Sequence, residues 1–139
     1  MNPALPPNWA TLVQPPPRNH GTPAIDALRP GEPFRKVVGD FLSDAAIERA
    51  EKIGLPTYGS LLTADNGRNQ PIEILQEAAD IPGALVAWVW EVDGDDFAAV
   101  EERSLLSRAM SELYEMTVTI RAAAMLRAKR IAKAKGEEK

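Results

Sequence analysis

FAAVEERSLLSRAMSELYEMTVTIRAAAMLRAKRIAKAK, residues 97–135, contains neither proline nor glycine, and its reading decides the fold. Alanine, leucine, glutamate, arginine, lysine and methionine dominate it, residues that lose little rotamer freedom in a helix. Leu106, Ala109, Leu113, Met116, Ile120 and Ala123 recur at alternating intervals of three and four, the spacing of a helix packing seam. Acidic residues at its start and basic residues at its end complement the helix dipole. The stretch predicts a helix from Asp96 to about Ala134 and a mainly α fold. Unbroken, it would be roughly 58 Å long at 1.5 Å per residue. A domain of about 105 residues spans only some 33 Å. The β-branched run Thr117-Val118-Thr119-Ile120 is therefore expected to break the helix, unless its last turns project from the body.

Working toward the N-terminus, ALVAWVWEV at 84–92 admits two readings. Its valines and tryptophans suit a strand, but the chain has no second run of comparable strength to pair with it. A helix entered through Asp80-Ile-Pro-Gly, with Asp80 as cap and Pro82 in the first turn, is preferred, and minor β structure at 84–92 is the alternative. IEILQEAA predicts a helix over 71–79 with Ile72, Leu75 and Ala79 on one face. Asn66-Gly67 marks a turn before it. A further helix is expected over 44–53, capped by Ser43 and ended by Gly54 in the left-handed region ahead of Pro56.

Nine of the twelve prolines precede residue 34. Each fixes φ and removes a backbone donor, so residues 1–34 read as an extended arm that reaches on the order of 100 Å at about 3.1 Å per residue. Between the prolines stand Leu5, Trp9, Leu12, Val13, Ile25, Leu28 and Phe34, apolar anchors that a solvated linker lacks. Short helical turns are expected from Trp9 to Val13 behind Asn8, and from Pro23 to Pro30-Gly31. The organisation read from sequence is an arm, 1–34, ahead of a small helical domain, 35–139, with a basic end to its long helix.

Composition narrows the chemistry. The absence of cysteine removes disulfides and thiolate zinc sites, and a single histidine, His20, removes imidazole-rich metal sites. No G-x-G-x-x-G, G-x-x-x-x-G-K or G-x-S-x-G occurs. Glu91, Asp93, Asp95, Asp96, Glu101 and Glu102 fail the calcium-loop pattern, because Phe97 and Ala98 fall where a ligand and a glycine are required. They read instead as a turn and an acidic helix start. A divalent-metal hydrolase would need them to face Glu73, Glu77 and Asp80. No cofactor or metal is expected. No apolar run approaches a membrane span, and MNPALPPNWA lacks the pattern of a secretory signal, so a cytoplasmic protein, or one built into a particle assembled there, is expected.

Three functions are consistent with these features. The first is a non-enzymatic structural or assembly subunit of a larger protein complex, such as a virion component or its assembly factor. Its arm anchors Leu5, Trp9, Leu12, Val13, Ile25 and Leu28 would dock on neighbouring subunits, and its long helix would pack through Leu106, Ala109, Leu113, Met116 and Ile120. The second is a nucleic-acid-binding or regulatory module. Its phosphate contacts would be Arg121, Arg127, Lys129, Arg130, Lys133 and Lys135, although the net charge of −4 gives no global attraction. The third is the carboxylate hydrolase. Trp88 and Trp90 are core residues in the plain reading and interface anchors in the sharper one.

Overall fold

The computed structural model describes residues 5–18 and 21–136. Short 3-10 turns at Trp9–Thr11 and Ala24–Leu28 precede α1 (Pro33–Val38) and α2 (Asp40–Arg49). A π-type turn, Ala50–Gly54, leads into α3 (Leu55–Tyr58), followed by α4 (Gln70–Ala79), α5 (Ile81–Glu91) and α6 (Phe97–Ala134). The fold is mainly α, and among the described residues β pairing is limited to an isolated antiparallel bridge between Pro23 and Thr63. The strand alternative at 84–92 is corrected: these residues lie in α5 and its C-terminal cap. A strand there would leave its backbone donors and acceptors without a ladder partner, whereas a helix satisfies them within the segment. Among the described residues no helix is long and apolar enough to cross a membrane.

The chain divides into two compact units, residues 5–12 with 69–136, and residues 13–68. The proline content suggests a boundary at 34/35, but residues 13–34 fold with 35–68. The proline-rich segment is thus shared between the two units.

In the first unit, α4 begins at Asn69, whose side chain accepts from the Ile72 backbone N–H, and Pro71 occupies the first turn, where its missing donor costs nothing. Ile72, Leu75 and Ala78 are buried at a spacing of three, so one face of α4 forms the centre of the unit, whereas Ala79, expected on that face, is exposed one position further round. Leu5 completes this core with Ile72 and Leu75, and Trp9, Leu12 and Ile120 pack around it. The Gln76 side-chain amide donates to the Trp9 and Leu12 carbonyls, both at 2.8 Å. That pair of bonds fixes the ends of the 3-10 turn against α4.

α6 starts at Asp96, which accepts from Ala99 N–H at 2.8 Å, and continues unbroken for 38 residues, about 57 Å. The break expected at Thr117–Ile120 does not occur. The Thr117 hydroxyl donates to the Tyr114 carbonyl and the Thr119 hydroxyl to the Glu115 carbonyl, so each threonine settles against the preceding turn. Of the expected seam, Leu106 is buried, Ala109, Leu113 and Ile120 are half-buried, and Met116 is exposed.

In the second unit the helix expected at 44–53 begins earlier, at Asp40. Gly39, with φ of 93°, forms the corner between α1 and α2, and Ser43 lies inside α2. Gly54 is right-handed (φ −64°) where a left-handed cap was expected, and the chain runs on into α3. Pro56 would clash with the carbonyl four residues back in a regular helix, and the wider turn at Ala50–Gly54 accommodates it. The left-handed cap is Gly59 (φ 73°), whose N–H reaches the Leu55 carbonyl at 2.8 Å.

Arg35 binds this unit together: it donates to the Leu28 carbonyl, Asp40 and Asp44 at 3.0, 2.8 and 2.7 Å. Asp44 chiefly, then Asp40, raises the guanidinium pKa above its ordinary value. The proline-rich strand is tied to the loop after α3, with Arg18 N–H on the Asn66 carbonyl and Ala24 N–H on the Leu62 carbonyl. Ile25 is buried. The Ser43 hydroxyl is buried with no hydrogen-bond partner among the described residues. An unsatisfied buried hydroxyl destabilises by roughly 1–3 kcal/mol. Ser43→Ala, in a helix interior, is expected to raise stability by about 1 kcal/mol, read as a higher urea midpoint by far-ultraviolet circular dichroism.

Candidate functional site

α5 is the most continuously apolar segment of the chain, yet none of its residues is buried. A helix apolar on all sides belongs inside a larger packed body. Here α4 and α6 cover only part of it, and Trp88 and Trp90 are 50% and 81% exposed. Two residues apart on a helix, the tryptophans point about 200° away from each other, so α4 and α6 cannot bury both. The Trp88 indole N–H donates to Glu102 on α6 at 2.7 Å, which orients that ring, while Trp90 is left to solvent.

The same incomplete closure leaves an open groove of about 860 Å³ within this unit. Leu75 and Ala78 of α4, Leu85 and Val86 of α5, and Leu113 and Tyr114 of α6 are among the residues that line it, and Arg121 is the one charged residue on its wall among the described residues. α6 also exposes Val100, Val118 and Met125, together with Tyr114 at the groove's edge. In the other unit Phe34 and Val37 on α1 and Phe41 on α2 are exposed. Exposed apolar surface concentrated in this way marks places where proteins meet other molecules.

The residues singled out in the sequence fall into four groups. Among the arm anchors, Leu5 and Ile25 are buried and Trp9, Leu12 and Leu28 half-buried within the chain, leaving Val13, 91% exposed, and Phe34 as anchors open to a partner. Among the basic residues, Arg121, Lys129, Arg130, Lys133 and Lys135 are exposed and Arg127 is half-buried. Arg127, Arg130 and Lys133 follow at intervals of three and Lys129 lies four before Lys133, so these four share one broad side of the last turns of α6, while Arg121 and Lys135 fall on the opposite side.

The carboxylates are engaged separately. Asp96 caps α6, Asp95 pairs with Arg103 at 3.3 Å, and Glu102 holds Trp88. Among the described residues no three acidic or histidine side chains converge to hold a metal. His20 lies outside the described residues.

The groove and the exposure of α5 were not foreseen from the sequence. The signal for them was present in ALVAWVW, whose apolar character on every side exceeds what two neighbouring helices can cover. Gln76 carried no signal, because its partners lie more than 60 positions away. No protein-family model, curated protein or solved structure matches this chain.

Proposed function

We propose that this chain is a non-enzymatic structural or assembly subunit, and that helices α5 and α6 provide its contact surface. The observation that carries this reading is α5 itself, a helix apolar all round with no buried residue and two exposed tryptophans. Tryptophan is enriched at binding hot spots, where a few desolvated aromatic anchors supply most of the affinity. The arm contributes less to this surface than its sequence suggested, because most of its anchors already pack within the chain.

The test is the solution mass of the full-length protein by size-exclusion chromatography with light scattering, followed across a dilution series. The expected result is a defined oligomer, and Trp90→Glu is expected to raise its dissociation constant at least tenfold while the helical circular dichroism is unchanged. Because Trp90 is so exposed, the substitution removes little from the subunit's own packing. A monomer at every concentration would overturn the proposal, as would an oligomer indifferent to Trp90→Glu. Nucleic acid co-eluting with the peak, read from the 260/280 nm absorbance ratio, would count against it and for the basic end of α6.

A further inference from the structure

We infer that the partner of this surface is a second copy of the chain, seated with its α6 antiparallel to the first; the inference rests on the assembly reading above. α6 has two long faces without acidic side chains. One carries Ala99, Leu106 and Ala124 and is buried within its own unit. The other, about 100° away around the helix, carries Val100, Ser107, Ser111, Tyr114, Val118 and Met125, all exposed. Their spacings of seven, four, three, four and seven follow the a and d positions of a heptad, the pattern that keeps one face against a second helix. Tyr114 belongs both to this face and to the wall of the groove, so the two surfaces adjoin.

Charge decides what the second helix is. The first half of α6 carries Glu101, Glu102, Glu112 and Glu115 against two arginines, Arg103, which pairs with Asp95, and Arg108, which pairs with Glu112, so it is net acidic. The second half carries Arg121, Arg127, Lys129, Arg130 and Lys133, with no acidic residue and no ion pair among the described residues. A parallel second copy would set the basic half against itself, and like charges across a helix pair are destabilising. An antiparallel copy sets each basic half against the acidic half of its partner, twice over under a two-fold axis. One chain therefore contains both halves of its own complement.

The dimensions agree. The face from Val100 to Met125, about 39 Å long and 10–12 Å wide, presents on the order of 400 Å², and the adjoining groove and α5 supply the rest of the roughly 800 Å² per partner of a standard specific interface.

The absence of native cysteine makes the test clean. Tyr114→Cys lies near the middle of α6, and Val100→Cys and Met125→Cys lie away from it on the same face. Under mild oxidation Tyr114→Cys is expected to form a disulfide-linked dimer. Val100→Cys and Met125→Cys are each expected to remain unlinked, because antiparallel packing places each far from its own copy. Ser111→Cys repeats the central test with the Tyr114 ring retained. Self-linking of Val100→Cys and Met125→Cys as readily as of Tyr114→Cys would overturn the inference in favour of parallel packing. A stable oligomer by light scattering in which none of the four links would overturn it and leave the assembly reading standing. A monomer would overturn both.

Discussion

Ile72→Ala is expected to lower the stability of the unit containing α4, α5 and α6 by about 3–4 kcal/mol, within the range for truncating a buried isoleucine. Ile72 is 2% exposed and shares its core with Leu5 and Leu75, so the substitution opens a cavity that a helix, a 3-10 turn and α6 must all shift to fill. Alanine has the higher helix propensity, so the loss cannot come from the helix itself and must come from packing. Against a total stability of about 5–15 kcal/mol for an ordinary domain, the change is a large fraction. Trp9, Trp88 and Trp90 all lie in this unit, so tryptophan fluorescence in urea follows its unfolding directly. The midpoint is expected to fall with little change in slope. Ile74→Ala, on the same helix at a 43% exposed position, is expected to cost well under half as much. Equal losses from the two variants would mean that α4 does not bury the face described.

What the sequence revealed and what it concealed divide along the range of the interactions concerned. α6 was legible because its causes are local: no breaker between Phe97 and Ala134, a capping aspartate at 96 and good formers throughout. α4 was legible through Pro71 and its apolar spacing. The misreadings were also local. Ser43 followed by Asp44 resembles a cap, but Gly39 supplies the corner and the helix starts there, because φ of 93° is open to glycine and costly for serine. Gly54 before Pro56 resembles a terminator, yet the widened turn carries the chain past the proline.

The destination of the arm lay beyond any pattern. Apolar residues between prolines announce that something must be covered, but they do not say by what. Leu5 meets Leu75 across some seventy positions, and nothing in the immediate neighbourhood of either encodes that meeting. The same limit applied to α5. Its apolar character was plain, but only the placement of α4 and α6 reveals how much of it remains uncovered.

Removal of residues 1–12 is expected to destabilise the same unit by about 4 kcal/mol or more, and not to leave a well-folded domain that has merely lost a docking arm. Leu5 is 8% exposed, and the full burial of a leucine contributes roughly 1.5–3 kcal/mol. Trp9 and Leu12 add partial burial over the same core. Without the Trp9 and Leu12 carbonyls, Gln76 loses two hydrogen bonds from a half-buried amide, each worth on the order of 1 kcal/mol. Part of this is offset because residues 5–12 no longer need ordering, which is why the expected loss is below the gross sum of the contacts.

The full-length double variant Leu5→Ala/Gln76→Ala separates packing from chain length: it keeps the segment and removes its two main attachments, and should reproduce at least half of the loss in urea midpoint. If the truncated chain instead keeps its midpoint but fails to assemble, the segment is a docking arm after all. Its contacts with Ile72, Leu75 and Gln76 would then be too weak to matter to the fold. If both stability and assembly fall together, the segment acts through the fold: it holds α4 in place, and α4 in turn sets the position from which α5 and α6 present their outer faces.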